Sequence, residues 1–500
     1  MKNSNITYLL IGLLSFALIS CNEDDFLQED PVTNLSTQTF FESEQDFRQA
    51  TNAVYTNLQT MAGGTNVGTG TGGFWAMSEL RSDNSTYQYN TVDLSGHFTW
   101  YLDNFIMATT NPVVNVFWNA AYEGIGKANI VIQQSEDKEY DNKEQIVAEA
   151  KFLRALYYSY LLRYFGNIPL VTEPTASYEE AFANNAQVDK QQVYELILAD
   201  LNEAKTALPA NYSAQDQGKA TSGAARTLLA KELMELERYS EAASELEAVI
   251  NSGEYMLLED YSDVFDVENE NNQELIFSVQ FIEGVYGLSS MYMYLFAPWN
   301  AGPELLGHAQ QIARTGMNIP TTDLIESFEK GDDRKSMIDL SYIDEVNGFY
   351  QGNIVPFNKK FWDSEHSIQY QTGTNFPLFR YPHVLLMLAE CYLRAGGGDP
   401  VALVNQVRTR AGLPTVASVT LEDIIHERRV EFYGEADRWD VLVRTNKVFE
   451  VMEAHGENER QNRSEVHVGD AAFRDIKVLY PIPASAIQTD PSLQQNPEYL

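Results

Sequence analysis

The chain has 500 residues, with 71 Asp or Glu against 34 Lys or Arg, and a net charge of −37. A polyanion of this kind repels phosphate backbones, which excludes nucleic-acid binding as a role. The 44% apolar content supports a substantial core, in one large domain or about two to three average ones.

In chain order, the first element is a leader. Lys2 precedes the apolar run Ile6 to Ile19, which ends Leu18-Ile19-Ser20-Cys21. A charged start, a short apolar core and small residues at the end read as a secretory signal. The run is shorter than the roughly 18 apolar residues of a spanning helix. Its end resembles a bacterial lipobox, in which Cys21 is lipidated and becomes the mature N-terminus. Residues 1–20 are therefore expected to be a lipoprotein signal peptide, and Cys21 the membrane anchor. Removing the leader leaves Cys391 as the only other cysteine. It sits in an apolar helical pattern and reads as a buried small hydrophobe, with no intrachain disulfide. Residues 21–40, opening Asn22-Glu23-Asp24-Asp25-Phe26, read as an acidic solvated tether.

Helical spacing begins at Ser43 to Thr60, with Phe47, Ala50, Val54 and Leu58 on one stripe. A glycine-rich loop follows at 63–73; no apolar strand precedes it, so it is not a nucleotide-binding fingerprint. Residues 112–134 are helical again. The strongest helix carries Ile146, Ala150, Leu153, Tyr157, Leu161 and Tyr164 and is stopped by Gly166 and Pro169. Val193 to Leu208 is another amphipathic helix. Gly223 to Gly253 reads as a helix–turn–helix of tetratricopeptide type, and Pro382 to Leu413 repeats the plan around Gly396-Gly397-Gly398. Between them, Glu274 to Phe281 alternates as a strand amid irregular segments rich in Gly, Asn, Tyr and Trp. The spacing predicts one last helix from Leu421 to Val443, followed by the extended Val478-Leu479-Tyr480-Pro481-Ile482-Pro483.

Four stretches together resemble the SusD/RagB family of outer-membrane nutrient-binding lipoproteins. They are Glu149 to Leu170, Phe379 to Glu390, Glu427 to Phe432 with Arg438 to Arg444, and Leu479 to Pro483 with the closing Gln495 to Tyr499. The resemblance implies a mainly α fold, built on tetratricopeptide-type helix pairs with irregular loop insertions and a few short strands. It divides the chain into an N-terminal helical region, 41–253, and a C-terminal region, 254–500. It also implies that the chain captures an oligosaccharide or polysaccharide at the outer face of the outer membrane. The partner would be a SusC-like TonB-dependent transporter. The arginines of these stretches, set among apolar helices, are expected to be ion-paired. Arg428 can pair with Glu431, and Arg154 with Glu149 or Glu390.

Glycan capture needs exposed aromatic planes, because sugar rings present apolar C–H faces. The candidates are Trp75 with Asp83 and Asn84, Trp100 with Tyr101, Tyr286, Trp299 and Trp362. Trp118 and Trp439 fall on helical stripes and read as core. Nothing in the chain carries a nucleophile elbow, a His-Glu-x-x-His or a cysteine cluster for zinc. The competing reading is a surface glycoside hydrolase or other polysaccharide-processing enzyme, which needs only two well-placed carboxylates. No cofactor is expected. Residues 266–277 start like a calcium loop but lack its glycine, and the many carboxylates leave room for a structural calcium elsewhere.

Overall fold

The computed structural model describes residues 40–64, 72–89, 96–174, 186–307, 316–345, 352–462 and 471–500. Cys21, the acidic segment behind it and most of the glycine loop lie outside the described residues. The chain divides into one unit of residues 1–47 and a second of residues 48–500. In the first, Ser43 donates through both its amide and its hydroxyl to Asp46 Oδ2, each at 2.7 Å.

The second unit is a stack of helices. After α1 (Glu44–Ala62) and α2 (His97–Asp103) come α3 (Pro112–Ser135), α4 (Lys143–Phe165), α5 (Lys190–Ala207), α6 (Ser222–Glu235) and α7 (Tyr239–Ser252). Each from α3 to α7 packs against the next. The polypeptide then leaves the stack for more than a hundred residues. It returns as α8 (Tyr381–Ala395), which packs directly on α7, and continues into α9 (Pro400–Arg410) and α10 (Leu421–Phe432). The helical-repeat frame is thus continuous in space although interrupted in sequence. Its ends are set by local chemistry. Asn111 caps α3 by accepting from the Val113 amide at 2.9 Å, and Asp189, Thr221 and Asp399 do the same for α5, α6 and α9. Gly166 ends α4 with φ of 71°, a conformation that favours glycine.

The insertion contributes short antiparallel ribbons. Strand β2 (Leu275–Val279) pairs with β8 (Phe376–Arg380), with Leu275 opposite Arg380 and Val279 opposite Phe376. Strand β1 (Ser85–Thr86) pairs with β3 (Ile319–Pro320). The hairpin of β4 (Ile338–Asp339), β5 (Ile343–Asp344), β6 (Asn353–Ile354) and β7 (Phe357–Asn358) pairs outer with outer and inner with inner.

The C-terminal end differs from the sequence expectation. The helix expected over 421–443 breaks after Phe432, and α11 (Arg438–Arg444) starts anew. Gly434 and Ala436 take φ of 81° and 65° in the break. The turn lets Asp437 fold back onto Arg428, at 2.5 and 3.1 Å. A further helix, α12 (Val448–Asn462), follows.

The motif arginines are indeed paired, but with other partners. Arg154 reaches Asp200 with two 2.8 Å bonds, while Glu390 binds Arg444. Glu431 lies between Arg380, Arg334 and Arg410. Arg380 also binds Glu274 at 2.6 Å and Glu435 at 2.7 Å. These residues come from the insertion, from α9, from α10 and from the turn after it, so a buried ionic lattice locks the insertion to the repeats. Removing one partner from such a pair costs about 3–5 kcal/mol. Trp118, Trp439 and Cys391 are buried, and burial pushes the Cys391 thiol up to about 12.

Candidate functional site

The first tryptophan expected at a site lies in the core. Phe74 enters a wide turn, Trp75–Glu79, in which the Leu80 amide reaches back to the Trp75 carbonyl at 2.8 Å. Trp75 is fully buried and meets Phe296 edge to face, with ring centres 5.3 Å apart. Asp83 is buried too, and both its oxygens are held by Arg438, at 2.8 and 2.9 Å. Burial alone would raise its carboxyl, but the Arg438 and Arg429 guanidiniums outweigh that and hold it well below the usual carboxylate range. Asn84 donates to Glu79 at 2.9 Å and accepts from Arg429 at 2.9 Å. Arg81, between them, lies against the rings of Phe105, Trp439 and Tyr480, the last at 4.0 Å. Trp75, Asp83 and Asn84 are therefore structural residues, because no ligand can reach them.

A different cluster does face solvent. Tyr89, His97, Trp100 and Tyr101 are all half-buried. Tyr89 stacks on His97 at 5.2 Å and an interplanar angle of 23°, and it also meets Trp100 at 5.4 Å. Trp100 meets Tyr101 at 5.2 Å. Helix α2 carries three of these rings on its first turns. His97 Nε2 is buried without a hydrogen-bond partner among the described residues.

One buried glutamine joins this cluster to the insertion. Gln88 accepts from the Trp299 amide at 2.7 Å and donates to Asp344 at 3.0 Å. Its own amide donates to the Gly316 carbonyl at 2.7 Å. The Tyr342 hydroxyl donates to the Trp299 carbonyl at 3.4 Å. The loop bearing Trp299 is thereby tied on both sides, with the half-exposed indole next to Asn300, whose φ is 70°. Trp362 lies lower: it meets Phe357 at 4.9 Å and packs against the cluster that contains Ala297 and Ala301, on either side of Trp299. Trp299 and Trp362 thus share one neighbourhood, and Gln88, next in the chain to Tyr89, ties the Trp299 loop to the segment that carries the ring cluster. Tyr286 does not share these ties. It is 68% exposed at the tip of a separate loop.

The sequence reading missed Gln88, Tyr89, Tyr342 and Asp344. The alternation Tyr87-Gln88-Tyr89 behind a short strand was the available signal for the first two. Nothing local marked the hairpin pair.

A family model described as "SusD family" matches residues 308–499, and one described as "Starch-binding associating with outer membrane" matches residues 25–233. The SusD-like protein P25 of Formosa agariphila is 26% identical, over 99% of this chain and 98% of its own. The chain belongs to the SusD family. The starch-binding protein SusD of Bacteroides thetaiotaomicron is 26% identical, over 70% of this chain and 72% of its own. The surface glycan-binding protein A of Bacteroides fluxus is 25% identical, with a TM-score of 0.78 over 91% of this chain and 99% of that one. The SusD family is one of binding proteins, and this member is not an enzyme. That decides against the hydrolase reading.

Proposed function

We propose that the chain is a cell-surface lipoprotein that captures an oligosaccharide or polysaccharide nutrient and passes it to a SusC-like TonB-dependent transporter. Capture takes place on the face carrying Tyr89, Trp100, Tyr101 and Trp299. The observation that carries this reading is the half-exposed ring cluster tied through Gln88 to the Trp299 loop. Rings held in place from behind lose little freedom when a sugar stacks on them. Relatives whose names specify starch or surface glycans support the same ligand class. Among the described residues no helix is long and apolar enough to cross a membrane. Attachment to the outer membrane would come from acyl chains on Cys21, each buried methylene contributing roughly 0.8 kcal/mol.

Affinity electrophoresis through gels cast with starch, laminarin, xylan, mannan or pectin tests the reading. At least one polysaccharide should retard the protein without releasing new reducing ends. Trp100→Ala with Trp299→Ala should sharply weaken the retardation at an unchanged melting temperature. New reducing ends, or retardation indifferent to both changes, would defeat the proposal. Cys21→Ala should release the protein from the membrane fraction. Detergent extraction of the native protein should co-purify a barrel transporter.

A further inference from the structure

The strap Gln217–Lys219 runs over a groove distinct from the Trp100–Trp299 face. Two cavities lie on either side of it. The larger, about 360 Å³, lies between α1 and the loop after β2, lined by Asn52, Tyr55, Gln59, Gln280, Ile282 and Leu288. The smaller, about 240 Å³, is lined by Tyr212, Thr221, Tyr255, Asn271 and Gln273. Both share Gln217, Gly218, Lys219 and Ser278. Gly218 makes the close crossing possible. Its φ is 89°, and a Cβ there would lie 2.5 Å from the Gln280 side chain.

Three features make this groove a site rather than a packing defect. Ser278, only 3% exposed, lies at the junction of the two cavities, and its hydroxyl has no hydrogen-bond partner among the described residues. A buried hydroxyl left unmet is costly unless a ligand or water completes it. The floor is fixed, because Gln280 accepts from Asn271 at 2.9 Å and from Asn375 at 3.2 Å. At the lip, the Ile282 amide closes onto the Leu288 carbonyl at 2.8 Å, and Tyr286 stands out from that loop into solvent. The lining is mostly amides and hydroxyls along one side and aliphatic side chains along the other. Of the charged groups in the lining, Lys219 is bound to Asp216 at 2.6 Å, and Glu254, in the smaller cavity, accepts from Asn211 at 2.8 Å. Mostly neutral hydrogen-bonding groups, an apolar wall and an exposed ring on the loop that forms the lip suit an uncharged sugar with one C–H face.

We propose that this groove is a second carbohydrate site, taking a short neutral oligosaccharide or the end of a longer chain. The inference rests on the reading of the protein as glycan-binding, and it uses none of the residues of the Trp100–Trp299 face. Two attachment points on one molecule would hold a long polysaccharide more firmly than either alone, since the second contact forms at a high effective concentration.

Calorimetric titration of the purified full chain with maltoheptaose and with laminarihexaose tests it. Trp100→Ala with Trp299→Ala should remove one class of sites and leave another. Tyr286→Ala should weaken the remaining class by about tenfold, as loss of a stacked ring does. Thr56→Trp, at an exposed position on the rim of the larger cavity, should abolish that class by filling it. Both single changes should leave the melting temperature and the Trp100–Trp299 class unaltered. Binding lost entirely in the Trp100/Trp299 variant would overturn the second site and leave the first standing. Residual binding indifferent to both Tyr286→Ala and Thr56→Trp would also overturn it. Binding unaffected by the Trp100/Trp299 changes but abolished by Thr56→Trp would support the groove and defeat the proposed capture face. No binding of either probe by any form would defeat both.

Discussion

Residues 75–84 and the ring group of Tyr89, His97, Trp100 and Tyr101 are built from similar chemistry, yet the fold buries the first and leaves the second half-exposed. Each stretch carries a tryptophan with acidic or amide groups close by. In the first, Asp83 is consumed by Arg438 and Arg429, and Asn84 by Glu79 and Arg429. With Asp83 and Asn84 bound internally, that stretch is taken inside, indole included, although Trp75 Nε1 and Glu79 Oε2 have no partner among the described residues. In the second, the rings lean on one another and keep an outer face in water. What separates them is a pair of arginines near the other end of the chain. A tryptophan beside an aspartate is therefore not yet a binding platform; the location of the counter-charge decides.

The largest effect that would test this contrast is at Asp83. Asp83→Ala strands Arg438 in a buried setting, and chemical unfolding should show a loss of about 3–5 kcal/mol. A variant that unfolded like the wild type yet lost glycan binding would return this stretch to the ligand face.

Next comes Glu79, buried beside Asn84. Burial pushes its carboxyl up to about 7, against the Gly434 amide and Asn84, which favour the charged form. Its Oε2 has no hydrogen-bond partner among the described residues. The folded chain thus holds a proton that the unfolded chain releases above the ordinary value of 4.5. The stability from this group is full below that pH and is lost as pH rises through about 7. Glu79→Gln should therefore stabilise the protein at pH 8 by on the order of 3 kcal/mol and bring no gain near pH 4.5. Melting curves of both forms across this range would check it; a gain that persisted at pH 4.5 would show that the carboxyl is charged throughout.

On the other side of the contrast, Trp100→Ala and Trp299→Ala should each weaken glycan binding by roughly 1–3 kcal/mol, on the scale of an aromatic stacking contact. Melting temperatures should stay within a degree or two, about what a surface change costs. A large fall in melting temperature at either position would mark it as core, like Trp75.

The same contrast explains what was legible in the sequence. The repeat helices could be read because their stripes, caps and stop signals are local: Asn111 and Pro112 start one, and Gly166 ends another. The break at Gly434 was hidden because its cause is the closure of Asp437 onto Arg428, which outweighs a helical pattern running straight through. Trp299 was identifiable as an aromatic with no helix stripe to claim it, and Trp100 by its place between the polar His97 and Asn104. Their union was not, because it depends on one glutamine side chain reaching across 211 residues. Trp75 was misread for the complementary reason. It too lacked a stripe, and only its distant neighbour Phe296 shows that it is core.

The smallest effect expected is at Tyr342, and it separates positioning from contact. Its hydroxyl lies 3.4 Å from the Trp299 carbonyl, near the long end of useful hydrogen bonds. Burial first, and then the nearby Asp344 and Glu345, push the phenol up to about 12, so it remains a donor at every physiological pH. Tyr342→Phe removes only that donor and keeps the ring. Glycan affinity should fall by about 0.5 kcal/mol, the low end for a single neutral hydrogen bond. The fall should be the same at pH 6 and pH 9, because the group titrates in neither. Gln88→Ala cuts the shorter 2.7 Å tie to the Trp299 amide and also removes the 3.0 Å bond to Asp344, so it should cost more. If Tyr342→Phe proved the more damaging of the two, the hydroxyl would be touching the sugar itself, and the hairpin would be part of the binding face rather than its support.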